Sequence, residues 1–254
     1  MELTEAVTRL RAAGCVFAED EAALLAGAAT GREFDVLVER RAAGEPLEHV
    51  VGWVAFAGLR VPVAAGVFVP RRRTELVAAL AADRLPHGGT LVDLCCGAGA
   101  IAVAVATARP DAKVWAADID PVAVALAGQS LAPLGGRAVF GDMDAGLPAA
   151  LAATCDVVAA CPPYVPSGEI PLMPREARDH EPHAALDGGP DGTDLQARVF
   201  EAASRLLRPG GVAVVETSDT QADRTLARAR ANDLAAHIVR DDARGAVVVV
   251  AVLD

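Results

Sequence analysis

The sequence predicts an α/β protein built on a doubly wound, mostly parallel seven-stranded sheet, preceded by a small helical unit and a linking β-hairpin. Three observations carry this. Strand and helix signals alternate from residue 90 onward, as a parallel sheet with crossover helices requires. A glycine turn at Gly97 and Gly99 joins a buried strand to an apolar helix. The last two strand signals follow one another with no helix between them, which predicts an antiparallel edge. With 254 residues, 53% of them hydrophobic, the chain can bury a sizeable core and suits one larger domain with a small appendage.

In chain order, helical patterning runs over residues 4–13, 20–29 and 33–43. Leu10, Leu24, Leu25, Val36 and Leu37 supply apolar positions, and Gly14, Gly31 and Gly44 end segments. From Val50 to Val69 the pattern turns to alternating and β-branched residues broken by Gly58 and Gly66, a hairpin. The expected organisation is a helical unit at 1–48, a hairpin linker at 49–70 and the larger domain at 71–254. Strands are predicted there at 90–94, 113–118, 137–140, 156–160, 211–217, 236–240 and 246–253, and helices at 99–108, 121–131, 194–207 and 220–231. The stretch Val165–Thr193 is too long for a plain connection and reads as a functional lid. Glu216, near the end of its strand, reads as a cap on the sheet edge.

Composition excludes several classes of function. The net charge of −11 argues against a large nucleic-acid footprint, and the one basic cluster is Arg71-Arg72-Arg73. No run of 18 apolar residues escapes interruption, and Met1–Asp20 lacks a basic segment followed by an apolar one, so neither membrane insertion nor export is expected and the cytoplasm is the expected location. The five cysteines show no CxxC pair and no zinc spacing, and most read as small buried hydrophobes in a reducing compartment. His180 and His183 lie in a proline-broken Asp-His-Glu-Pro-His run that gives no preorganised ligand geometry, so no metal is expected.

Chemistry-bearing residues gather where strands end. In Asp93-Leu94-Cys95-Cys96-Gly97-Ala98-Gly99 the glycines let the backbone approach a ligand closely. Asp118 follows Gly97 by 21 positions, at the end of the second strand, where a carboxylate can accept both hydroxyls of a ribose. Asp120, before Pro121, has the simpler role of a helix N-cap. Asp142 and Met143 follow the third strand; the carboxylate can accept from an exocyclic amino group and the thioether can cover an aromatic ring. A dinucleotide fingerprint would want a third glycine where Ala102 stands. After the fourth strand comes Cys161-Pro162-Pro163-Tyr164. Its two prolines hold φ near −65° and donate nothing, so the turn is a rigid surface of acceptors, and Tyr164 adds a flat ring that can pack on a planar group.

These motifs, taken together and in order, resemble the HemK-type protein-glutamine methyltransferases, which modify the GGQ glutamine of translation release factors. Gly44-Glu45-Pro46-Leu47 with Val51-Gly52 resembles the family's entry to the hairpin, and Pro70-Arg71-Arg72-Arg73-Thr74-Glu75 its Pro-Arg-Pro-Glu-Thr-Glu loop, with Arg72 and Arg73 in place of Pro and Glu. Cys161 to Tyr164 stands where the family has Asn-Pro-Pro-Tyr, and Arg178 to Pro182 with Ala185 to Gly189 resembles the loop that follows. The resemblance implies a Rossmann-like class I methyltransferase domain with S-adenosyl-L-methionine as cofactor. It implies cofactor contacts at Thr74, Cys95, Cys96, Gly97, Ala98, Gly99, Asp118, Ile119, Asp142, Met143 and Cys161, and acceptor chemistry at Cys161, Pro162, Pro163 and Tyr164. It also implies a partner protein carrying an exposed glutamine, gripped in part by the unit at 1–48; a small-molecule or nucleobase acceptor is the alternative. Cys161 in place of asparagine, Cys95 in place of the first loop glycine and a short helical unit set this chain apart from the pattern. A module that binds the cofactor without activity is the third reading, and it rests on Cys161 alone.

Overall fold

Apolar residues spaced by helical turns close the N-terminal helices on one another in the computed structural model, which describes residues 1–254. Helices α1 (Leu3–Ala12), α2 (Ala18–Ala28) and α3 (Gly31–Ala42) bury Leu10, Leu25, Phe34 and Val38 in a small core of their own, to which Val50 of the short α4 (Leu47–Val51) adds. Strands β1 (Trp53–Phe56) and β2 (Leu59–Pro62) then form an antiparallel hairpin around Ala57 and Gly58, both at positive φ, as a tight two-residue turn requires. The hairpin is shorter than the sequence pattern over Val50–Val69. Val63, Val67 and Val69 are buried without pairing as strands, and a ring nitrogen of His49 lies 2.9 Å from the Val67 carbonyl oxygen.

The larger domain follows as α5 (Glu75–Arg84), β3 (Thr90–Leu94), α6 (Ala100–Ala108), β4 (Lys113–Asp118), α7 (Pro121–Leu131), β5 (Arg137–Phe140), β6 (Cys155–Ala160), α8 (Arg175–His180), α9 (Asp194–Leu206), β7 (Leu207–Thr217), α10 (Ala222–Arg230), β8 (Leu234–Asp241) and β9 (Ala246–Leu253). Seven strands make one sheet in the order β5-β4-β3-β6-β7-β9-β8, parallel except for the pairs β9 makes with β7 and β8. The predicted antiparallel edge is present. Alternate residues face opposite layers: Leu91, Val157, Val214 and Val248 pack under α5 and α6, while Val92, Val158, Val215 and Val249 pack against α9.

Three departures from the sequence pattern matter for the site. Helix α5 had no predicted counterpart, because alanines interrupt its apolar stripe, yet it buries Val77, Ala78 and Ala81 and carries the residues before it to the sheet's carboxyl end. The stretch Val165–Thr193 contains α8 and short turns rather than an open loop. Glu216 does not cap an edge: β7 lies between β6 and β9, and Glu216 is fully buried on the face that Val214 shares. Asp120 is the N-cap of α7, accepting from the Val122 amide at 2.8 Å, with Pro121 at the first helical position.

Candidate active site

Chain order reverses at β3, which has β4 on one side and β6 on the other, and a crevice opens there beyond the carboxyl ends of the strands. It holds a cavity of about 520 Å³. Thr74, Cys95, Cys96, Gly97, Ala98, Asp118, Ile119, Asp142, Met143 and Cys161 all line it. Gly99 does not. It lies behind the wall at the start of α6 with φ +78°, and a Cβ there would come within 2.8 Å of Ala127 Cβ, so its missing side chain lets α6 pack on α7.

The loop from Cys95 to Gly99 is held by a side chain from the next strand. Asp118 Oδ2 accepts from the Gly97 amide at 2.8 Å and Oδ1 from the Asp120 amide at 2.9 Å. Burial raises its pKa above the ordinary carboxylate value, against the lowering effect of those amides. Cys95 and Met143, both on the wall, adopt left-handed φ of +54° and +53° without being glycine, local strain of the kind that binding sites store. Beneath the loop, Asp93 is wholly buried: Oδ2 accepts from the Ala102 amide at 3.1 Å, Oδ1 has no partner, and desolvation pushes the carboxyl up to about 8. Arg198 of α9 also lines the cavity and donates to Asp142 Oδ2 at 2.7 Å. Nothing in the local sequence pointed to Arg198, an arginine on an amphipathic helix 56 positions from its partner.

The residues present fit an adenosine-bearing cofactor. Each Asp118 oxygen keeps a lone pair beyond the one its amide uses, Asp142 Oδ1 has no protein donor, and Ile119 and Met143 give apolar surface for a ring. A Cβ at Gly97 would meet no protein atom within 4 Å, so this stretch of wall is open for a ligand to approach the backbone. The volume is that of an ordinary small-molecule site.

A second cavity of about 320 Å³ adjoins the first and shares Phe68, Cys161, Pro163 and Ala185 with it. Pro162, Tyr164, Arg71, Arg73 and Glu176 are on its wall. Cys161 Sγ lies 3.8 Å from Thr74 Oγ1, and burial together with the Glu216 charge holds its pKa well above the ordinary thiol value, so it stands as a neutral thiol. The Tyr164 hydroxyl donates to Glu216 Oε1 at 3.1 Å and accepts from Arg73 Nη2, while Arg73 Nε donates to the same carboxylate oxygen at 3.1 Å. Arg71 donates from Nη2 to both oxygens of Glu181 at 2.7 Å, and Arg72 is exposed. Two of the three arginines thus anchor buried carboxylates beside the second cavity.

The segment after Tyr164 is tied back on itself by backbone pairing. Val165 exchanges backbone hydrogen bonds with Leu186 and Gly188, at 3.0 and 2.9 Å, and a Cβ on Gly188 would come within 2.6 Å of Tyr164 Cα. Gln221 Nε2 donates to the carbonyl oxygens of Tyr164 and Asp191, and Glu181 accepts from the Val69 amide. Arg41 of α3 reaches Glu176 of α8 at 3.3 Å, so the helical unit touches this second wall. His183 lines the first cavity and lies 3.9 Å from Asp187.

Comparison with known proteins follows the same lines. A family model described as the methyltransferase small domain matches residues 59–172. A release factor glutamine methyltransferase from Bifidobacterium longum is 36% identical, covering 96% of this chain and 95% of its own. The chain belongs to the release factor glutamine methyltransferase family. Another member, from Streptomyces coelicolor, is 39% identical over 87% of this chain and 85% of its own. Among solved structures, a methyltransferase from Pyrococcus furiosus aligns with a TM-score of 0.58 at 16% identity, over 77% of this chain and 89% of that one, a likeness of fold. The fold is that of the class I methyltransferases. No helix is long and apolar enough to cross a membrane.

Proposed function

We propose that the protein transfers a methyl group from S-adenosyl-L-methionine to the side-chain amide nitrogen of a glutamine in a protein, the GGQ glutamine of a translation release factor, in the cytoplasm. The observation that carries this is the junction of two cavities at Cys161 and Pro163: one has the groups for an adenosine cofactor, the other is walled by a turn of acceptors and a fixed aromatic ring. The cofactor supplies an electrophilic methyl on a sulfonium. Asp118 would hold the ribose hydroxyls, Asp142 would accept from the exocyclic amine, Ile119 and Met143 would cover the ring, and the loop 95–98 would take the remainder. On the other side, Pro162 and Pro163 have no N–H, so the turn meets the amide hydrogens of the acceptor with carbonyl oxygens alone. Tyr164 packs on the amide plane, its ring held by Arg73 and Glu216. An amide nitrogen is a poor nucleophile, so positioning supplies the rate. No strong base is needed, because the nitrogen that takes the methyl becomes cationic as the sulfonium becomes a neutral thioether, and that N-methylated amide cation is acidic enough to release its proton to water. The net charge of −11 disfavours nucleic acid as the acceptor.

Cys161 makes the reading testable. A thiol accepts a hydrogen bond weakly, and one absent acceptor facing a buried N–H costs about 1–3 kcal/mol. Cys161→Asn should therefore raise methyl transfer to a GGQ-bearing release-factor fragment by about 5- to 150-fold. The measurement is incorporation of labelled methyl into that fragment and into the protein, nucleic-acid and small-molecule fractions of a lysate. No gain on the fragment together with a large loss on a small-molecule acceptor overturns the protein-glutamine reading.

A further inference from the structure

Arg73 is the charged group of the second cavity's wall that holds Tyr164. Its chain neighbour Thr74 touches Cys161, its guanidinium sits 5.7 Å from the Tyr164 ring centre, and two of its nitrogens are engaged, Nε by Glu216 and Nη2 by the Tyr164 hydroxyl. Nη1 has no protein partner, and the side chain is 39% exposed in a residue that lines the second cavity. Glu216, by contrast, has 1% of its side chain exposed, and its Oε2 has no hydrogen-bond partner. The carboxylate therefore fixes the guanidinium without reaching a ligand itself. The other charges at this wall are already paired, Arg71 with the buried Glu181 and Glu176 with Arg41. With a thiol at 161 the wall has lost a side-chain acceptor and, at Arg73, it offers a donor.

We propose that Arg73 determines acceptor specificity: locked by Glu216 and Tyr164, it donates from Nη1 to the carbonyl oxygen of the acceptor amide and repels a cationic amine. This rests on the glutamine reading above. An amide carries an acceptor and two donors on one plane, so the proline carbonyls and Arg73 recognise complementary halves of it. A guanidinium is suited to this because two of its donors can be spent on the protein while a third remains in the same rigid plane. An interaction present equally in the ground and transition states changes KM and leaves kcat alone.

The test uses the full chain loaded with S-adenosylhomocysteine for binding and with labelled cofactor for turnover. The double variant Arg73→Gln/Glu216→Gln removes both charges of the buried pair together, so no buried carboxylate is stranded. Expected is an unchanged Kd for S-adenosylhomocysteine, a KM for the GGQ fragment raised about tenfold or more, and kcat within about twofold, as loss of one charge-assisted hydrogen bond predicts. A fragment with glutamate in place of the target glutamine should bind the wild type more weakly than the glutamine fragment, because its second oxygen faces the proline carbonyls, yet it should still lean on Arg73, so its Kd should rise further, about tenfold or more, in the double variant. An unchanged KM for the glutamine fragment and an unchanged Kd for the glutamate fragment in the folded double variant would overturn the role of Arg73. Absence of any transfer to the glutamine fragment by the wild type overturns the substrate reading, and this proposal with it.

Discussion

The hydroxyl of Tyr164 and the carboxylate of Glu216 meet at 3.1 Å inside the molecule, although 52 positions separate them in the chain. The ring that ends the Cys-Pro-Pro-Tyr turn is thereby tied to the middle of the sheet. Tyr164→Phe keeps the ring and removes the tie, leaving a buried carboxylate oxygen one donor short. We expect a loss of about 1–3 kcal/mol in urea unfolding with kcat within about twofold, since the ring stays in its packed place, and a clear fall in turnover for Tyr164→Ala. Wild-type turnover in Tyr164→Ala would rule out a role for the ring at the acceptor.

Asp118 holds the loop 95–99 through the Gly97 amide and keeps lone pairs free beside the cavity. Asp118→Ala should weaken S-adenosylhomocysteine binding at least about tenfold by calorimetry, since it removes a charged acceptor and releases the Gly97 amide. Unchanged affinity, or tighter binding of a nicotinamide nucleotide, would refute the assignment of this cavity.

The buried Asp93 ties stability to pH. Its carboxyl is pushed from an ordinary 3.8 up to about 8, chiefly by desolvation, so between these values the folded state holds a proton that the unfolded state has released. The sign follows: its contribution is fully present below about pH 4, declines as pH rises and is gone above about pH 8. Asp93→Asn should flatten that part of the stability curve. Parallel wild-type and variant curves in urea unfolding from pH 4 to pH 9 would show that Asp93 is already ionised in the fold.

Arg41 bridges Glu21 on α2, at 2.6 Å, and Glu176 on α8, at 3.3 Å. If residues 1–48 recognise the partner and carry no chemistry, Arg41→Met should raise the KM for the release-factor fragment several-fold while leaving S-adenosylhomocysteine affinity intact. Loss of cofactor affinity in the folded variant would contradict that division of labour.

Much of this was legible in the sequence because it rests on short-range pattern. Alternating signals from residue 90 specify a parallel sheet, a strand–glycine turn–helix fixes where a ligand can approach, and the 21-residue step from Gly97 to Asp118 is one crossover, so the loop and its acid must come together at adjacent strand ends. The proline turn is likewise local, since φ at Pro162 and Pro163 is set by their own rings. What only the tertiary structure decided depends on contacts between distant segments. Gly99 serves the packing of α6 on α7, because the neighbour that forbids a side chain is Ala127. Arg198 meets Asp142 through the placement of α9, and helix α5 takes its stability from burial of small residues that leave little periodic trace. Above all, Glu216 read as an edge residue until β9 was seen to pair with β7 on its far side. A strand's position in a sheet is settled by its partners, and that position turned an apparent cap into the buried charge that holds Arg73 and Tyr164.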